Sequence, residues 1–178
     1  MPGTPRIHLV GRRNAGKTTM VCALIRELTE RGFRVASVKH THHHHELDTP
    51  GKDSHRHRTS GAVATGILAP QMTALFIPSE SAVRTDDRYV AFENAFADSD
   101  VILVEGDLQT SGTRIEIWRS GLAEPPYAVA DAGIKAVISD VHPDGVSCPW
   151  WQSSSIADVA TRLLQVWSDL KETGKGAS

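Results

Sequence analysis

Residues 11–18 read Gly-Arg-Arg-Asn-Ala-Gly-Lys-Thr and satisfy G-x-x-x-x-G-K-[ST] at every fixed position. The motif constrains the fold because its chemistry needs a strand before it and a helix after it. Arg6–Val10 is an apolar run, expected as a buried strand that ends at Gly11. After the motif, Val21, Leu24, Ile25 and Leu28 recur at i, i+3, i+4 and i+7, one face of a helix. Gly32 stands where a left-handed residue would stop that helix. In such a strand–loop–helix unit, successive backbone N–H groups and the positive end of the helix dipole converge on one anion. Gly11 and Gly16 let the backbone curl. Arg12, Arg13, Asn14, Ala15 and Thr19 complete the expected phosphate-contacting stretch. The Lys17 ammonium would reach the β and γ phosphates of a nucleotide, and the Thr18 hydroxyl would ligate Mg²⁺. The G-x-G-x-x-G spacing of dinucleotide folds is absent.

A loop of this kind also needs an acid near the metal, at the end of another strand. Val101–Val104 is the cleanest apolar run in the chain and delivers Glu105. Gly106 beside it would let the backbone approach a γ-phosphate. Lys17 and Glu105 are therefore the expected catalytic pair; the plainer reading makes Glu105 only a strand-end carboxylate. Asp100, at the start of the same strand, is expected at the opposite edge of the sheet.

The rest of the chain alternates strands and helices. Phe33–Val38 reads as a strand and Asp53–Ser60 as a short helix. Ala64–Leu68 and Thr73–Ile77 form an expected hairpin around Pro70. Asp86–Ala97 reads as a helix with Val90, Phe92 and Phe96 inward. Arg114–Arg119 (RIEIWR) alternates strictly, the pattern of a half-exposed strand. Ala136–Ser139 reads as a last short strand. A C-terminal helix starts near Ser155, with Asp158 placed as in a capping box. Its apolar face is Ile156, Val159, Ala160, Leu163, Val166, Trp167 and Leu170. The pattern predicts an α/β fold of the P-loop NTPase type: a mostly parallel sheet flanked by helices, with an additional antiparallel strand portion. It is expected as one nucleotide-binding domain over residues 1–178, with β excursions near 64–77 and 107–119.

Length and charge exclude other classes. At 178 residues the chain is about one domain long. Its 19 basic and 21 acidic residues, a net charge of −2, argue against a broad nucleic-acid footprint. No apolar run reaches the roughly 18 residues of a membrane span. The N-terminus lacks the apolar region of a secretory signal, and two cysteines, Cys22 and Cys148, suit a reducing cytoplasm.

Nine histidines stand out, five of them between His40 and His45. Loops at the carboxyl ends of strands line the ligand crevice of an open α/β sheet, so Lys39–His45 and the glycine loop are expected at one sheet edge. From the following segment, Asp48 and Asp53 could reach metal or phosphates, and Lys52, Arg56 and Arg58 could hold anionic groups. A histidine run also suggests a transition-metal site. Four adjacent histidines cannot converge on one ion, and a solvated or partner-ordered loop is the plainer reading.

These segments together resemble the MobB family, the molybdopterin-guanine dinucleotide biosynthesis adapter proteins. The resemblance rests on the glycine loop, Lys39-His40-Thr41-His42-His43, Asp48-Thr49-Pro50-Gly51-Lys52-Asp53-Ser54, Arg58, Ser60-Gly61-Ala62 and Val104-Glu105-Gly106. It runs from about Ile7 to Arg119. The chain departs from the pattern in three places: Asp107-Leu108 stand where an aromatic and a lysine are usual, Arg12 and Arg13 where small residues are common, and Ser60 where alanine is usual. The resemblance implies a GTP-binding protein with weak GTPase activity that assists the guanylyltransferase joining GMP to molybdopterin. It implies the guanylyltransferase and molybdopterin-bearing proteins as partners. It further implies a homodimer in which strands outside the nucleotide core help the subunits pair, RIEIWR among them.

The glycine loop reads phosphates and not bases. Asp140, at a late strand end, is the candidate for accepting the guanine N–H groups; a turn aspartate before Pro143-Asp144-Gly145 is the alternative. Thr18, Glu105 and Asp48 are the expected Mg²⁺ ligands. No catalytic glutamine or arginine finger is visible, so turnover is expected to be slow. Two other functions remain open at this point: a small-molecule kinase with Arg56 and Arg58 on a lid, and a metal-delivery GTPase that uses the histidine run.

Overall fold

The computed structural model describes residues 4–41, 46–78 and 89–175. By its contacts the chain divides into two compact units, Met1–Thr41 with Tyr89–Ser178, and His42–Arg88.

The first unit is built on a parallel sheet. Among the described residues its strands are β1 (Arg6–Val10), β2 (Val35–Lys39), β5 (Val101–Glu105), β6 (Thr113–Ile117), β7 (Ile134–Ser139) and β8 (Trp150–Gln152), in the order β2-β5-β1-β6-β7-β8. Every pairing is parallel. All six carboxyl ends therefore share one edge. The chain crosses from one side of β1 to the other between β5 and β6, so the loop after β1 lies at the switch point where ligands bind in open α/β sheets.

Helices α1 (Lys17–Glu30) and α4 (Ile156–Lys175) cover one face. Met20, Val21, Leu24 and Leu28 of α1 and Val159, Ala160 and Leu163 of α4 bury against Ile7, Leu9, Leu103, Ile115 and Ile138. Gly32 ends α1 as expected: it adopts φ 89°, its N–H bonds to the Thr29 carbonyl at 2.9 Å, and Phe33 N–H bonds to Leu28 O at 3.1 Å. On the other face, Val10, Ala128 and Val137 form one cluster, and Ala36, Tyr89, Ile102 and Val104 another.

Three expectations need correction. RIEIWR is not an exposed excursion or a free edge: β6 lies between β1 and β7, and Glu116 within it is fully buried. Its polar side chains go inside because each has a partner. Arg114 makes a two-point ion pair with Asp131 at 2.6 and 3.2 Å. Glu116 accepts the backbone N–H groups of Tyr127 and Ala128, both at 2.8 Å. Second, Trp150-Trp151 belongs to β8, a strand beyond the one expected to be last; Trp151 is in the core, and Trp150 Nε1 donates to Ser139 Oγ at 2.9 Å. Third, of the helix expected over 86–97 the described part is α3 (Val90–Glu93). Tyr89 and Phe96 pack inward there, while Val90 and Phe92 are exposed. Residues 86–88 lie outside the described residues.

The second unit holds α2 (Asp53–Thr59) and an antiparallel hairpin of β3 (Thr65–Leu68) and β4 (Thr73–Phe76). This is the expected antiparallel portion, and Pro70 sits in its turn, closed by Ala69 N–H to Met72 O at 3.0 Å. Helix α2 packs on β3. Gly66, Leu68, Thr73 and Leu75 make one face of the hairpin, and Leu68 and Leu75 are exposed on it. Among the described residues no helix is long and apolar enough to cross a membrane.

Candidate functional site

The loop from Gly11 to Gly16 leaves the central strand at the carboxyl edge. Gly11 adopts φ 147°, and a Cβ there would drive into the Ile117 carbonyl oxygen of the neighbouring strand. Asn14 at φ 62° and Gly16 at φ 92° curl the loop into the start of α1. Left-handed turns at Asn14 and Gly16 suit a loop whose backbone N–H groups face one anion. The Lys17 ammonium arches back over it, donating to Gly11 O at 2.8 Å and Arg12 O at 2.7 Å. Its half-buried position lowers its pKa through desolvation; Glu105 pulls it back up, and Lys39 lowers it further.

Glu105 closes the site from β5, the strand directly beside β1, where it stands opposite Leu9 and Lys39. Thr18 Oγ1 donates to Glu105 Oε1 at 2.7 Å. Lys39 Nζ lies 3.9 Å from the same oxygen. Gly106 follows at φ 95°, its N–H bonded to Leu9 O at 2.9 Å. Thus Lys17, Thr18, Glu105 and Gly106 come together at one edge. A hydroxyl and a carboxylate at hydrogen-bond distance, under a lysine and a curled glycine loop, are the hard oxygen donors that suit Mg²⁺ with a phosphate. Asp100 lies at the other end of β5 and pairs with Arg34.

Other expected residues are placed differently. Arg12 turns away from the loop: it pairs with Glu124 at 2.9 Å, donates to Pro125 O at 3.1 Å and lies 4.3 Å over the Tyr127 ring. Arg13 and Thr19 are exposed, whereas Ala15 is buried. Asp140 stands at the same sheet edge after β7, and its carboxylate accepts Ser120 N–H at 2.9 Å and Ser120 Oγ–H at 2.7 Å. Those bonds hold its pKa below the ordinary aspartate range. In the 42–88 unit, Asp48 is buried and accepts Thr49 N–H at 2.7 Å and Ser54 Oγ–H at 3.0 Å, bracing the Thr49–Ser54 turn. Arg58 donates to Glu46 at 2.6 Å. Asp53 opens α2, Lys52 is its N-cap residue and Arg56 is exposed. His42–His45 lie outside the described residues.

Sequence reasoning passed over a polar cluster behind this site. His8, Asp107 and Thr110 are buried on the face opposite α1, together with Tyr89. Two signals existed: a histidine on the inward alternation of β1, and an aspartate where the family pattern has an aromatic residue.

Fold and loop define the class: an α/β protein of the P-loop type, with the strand bearing the acid directly beside the strand bearing the loop. Residues 6–140 match the family described as MobB, molybdopterin guanine dinucleotide synthesis protein B, and this chain belongs to that family. It is 35% identical over 138 residues to the molybdopterin-guanine dinucleotide biosynthesis adapter protein of Escherichia coli K12, covering 77% of this chain and 79% of that protein. The corresponding Haemophilus influenzae protein is 31% identical over 121 residues, covering 68% and 67%. A crystal structure of molybdopterin-guanine biosynthesis protein B superposes with a TM-score of 0.69 at 25% identity, covering 92% of this chain and 99% of that one. The fold is also that of a MobB homologue from Bacillus stearothermophilus, with a TM-score of 0.63 at 22% identity, covering 92% and 98%.

Proposed function

We propose that this chain is a GTP-binding adapter of molybdopterin guanine dinucleotide biosynthesis that assists the guanylyltransferase step and hydrolyses GTP slowly. The observation that carries the reading is the contact between the Thr18 hydroxyl and the Glu105 carboxylate beneath Lys17, within a chain of the MobB family. In this reading Lys17 leaves the loop carbonyls for the β and γ phosphates. The N–H groups of residues 14–18 surround the phosphates, and Thr18 and Glu105 hold Mg²⁺. The ion would neutralise charge that develops on the phosphate oxygens. Glu105 and Lys17 fix geometry and charge, and the sequence shows no obvious catalytic glutamine or arginine finger. Slow turnover follows. Asp140, kept ionised by Ser120, is the guanine reader in this proposal.

The adapter works as a homodimer. The β3–β4 hairpin supports this: a two-stranded sheet is marginal alone, and this one exposes Leu68 and Leu75 on one face, with Val63 and Met72 near its ends. A second copy would cover that face and its free strand edges. The two free thiols, Cys22 and Cys148, suit the cytoplasm. Reconstituting the guanine dinucleotide cofactor from molybdopterin, GTP, Mg²⁺ and the guanylyltransferase tests the function. Addition of this protein raises the yield or rate; no effect at any stoichiometry would remove the adapter role.

A further inference from the structure

Glu105 is followed by two consecutive left-handed residues, Gly106 at φ 95° and Asp107 at φ 65°. For an aspartate this conformation costs on the order of 1 kcal/mol, so the surroundings have to hold it. Asp107 is also 4% exposed, and burying a carboxylate is expensive unless partners compensate. Strain and burial thus coincide two residues from the carboxylate that touches Thr18.

The partners come from other parts of the fold. The Tyr89 hydroxyl donates to Asp107 Oδ2 at 2.6 Å. His8 Nδ1 lies 3.9 Å from the same oxygen, and His8 stands on β1 three residues before Gly11. The Tyr89 ring meets His8 edge-on at 5.5 Å, with the Arg6 guanidinium 4.7 Å over its centre. Thr110 Oγ1 sits 3.5 Å from His8 Nε2. One carboxylate of the turn after β5 is thereby bonded to Tyr89 and set against His8 of the strand that carries the glycine loop. The turn itself is gripped at its start by Gly106 N–H to Leu9 O at 2.9 Å and by His40 N–H to Glu105 O, also at 2.9 Å.

We infer that Asp107 is a positioning residue: its buried carboxylate, tied to Tyr89 and set against His8, holds the Glu105–Gly106 turn in the shape that meets the γ-phosphate of a bound triphosphate. This rests on the triphosphate-binding reading above and names a residue outside the loop and metal machinery. A diphosphate does not reach that turn. The tie therefore sets the preference for GTP over GDP, not nucleotide affinity as a whole.

The test is equilibrium binding of fluorescent GTP and GDP analogues, with Mg²⁺, to wild type, Asp107→Ala, Asp107→Asn and Tyr89→Phe, each checked by thermal unfolding. Asp107→Ala and Tyr89→Phe lower the GTP:GDP affinity ratio about tenfold, the scale of a hydrogen bond to a charged group. Asp107→Asn still accepts from Tyr89 and tolerates the left-handed backbone, so it keeps the ratio within about threefold of wild type. Tyr89→Phe keeps its ring packing and carries the test alone if Asp107→Ala does not fold. Parallel loss of both nucleotides, an unchanged ratio, or Asp107→Asn as impaired as Asp107→Ala would overturn the inference while leaving GTP binding intact. A wild type that binds neither nucleotide would overturn the GTP reading, and this inference with it.

Discussion

The Thr18 hydroxyl meets the Glu105 carboxylate at 2.7 Å, joining the first turn of α1 to the end of β5 across 87 residues of sequence. Two residues that act through one site give non-additive losses when both are removed. Thr18→Ala and Glu105→Gln are each expected to weaken Mg²⁺-dependent GTP binding by about tenfold or more. The double variant should be little worse than the worse single one. With EDTA in place of Mg²⁺ all four proteins should bind GTP with similar, weak affinity. Additive losses in Mg²⁺, measured by calorimetry, would separate the two residues.

Two glycines of the same loop should respond differently to alanine. At Gly11 a Cβ would collide with the Ile117 carbonyl, a backbone atom that cannot swing aside. At Gly16, φ is 92° but nothing lies within 4 Å of a Cβ. Gly11→Ala is therefore expected to lose about 3 kcal/mol or more of stability, and Gly16→Ala only about 1 kcal/mol, the torsional cost alone. Urea denaturation checks both, and equal losses would contradict the steric account.

Glu116 makes a prediction about pH. Burial raises its pKa above the ordinary glutamate value of 4.5, although the N–H groups of Tyr127 and Ala128 pull it back. The folded protein thus holds that proton more tightly than the unfolded chain does. The associated stability is present in full below 4.5 and is lost as pH rises through the folded value. Glu116→Gln lacks this component. The stability of wild type relative to Glu116→Gln should therefore fall as pH rises across that window and then level off. A difference that grows with pH would reverse the assignment. Glu116→Ala leaves two buried N–H groups without an acceptor and should cost about 2–4 kcal/mol.

Glu116 also shows where sequence reasoning reached its limit. Alternation in RIEIWR read as one wet face, because period two reports which side chains are apolar and not whether a polar one has a buried partner. Those partners, Asp131 and the N–H groups of 127 and 128, lie in a loop whose return to β6 no local pattern encodes. The glycine loop, the Gly32 stop and Glu105 were legible because each depends on near neighbours in sequence. The β3–β4 hairpin was legible for the same reason. β8 was not, since three residues carry no periodicity. The pairing of Asp107 with Tyr89 spans 18 residues, and the helix and strand patterns between them do not encode it.

The hairpin supplies a separate test. Leu68→Asp with Leu75→Asp places two charges on the exposed face of β3–β4, and neither side chain is buried in the protomer. Sedimentation equilibrium should show a dimer for wild type and a monomer for the variant, with GTP affinity changed by less than about threefold, since surface changes away from packed features act weakly. A variant that remains dimeric would move the interface elsewhere.

The central claim is that the loop after β1 is a triphosphate site completed by Glu105, and Lys17→Ala tests it most directly. Among the described residues the Lys17 ammonium bonds to loop carbonyls at 2.7 and 2.8 Å, and burial lowers its pKa, so its removal should leave the melting temperature nearly unchanged. Titration of GTP with Mg²⁺ into wild type should give saturable binding, and Lys17→Ala should give none that is measurable. A folded Lys17→Ala protein that binds GTP as wild type does would contradict the account.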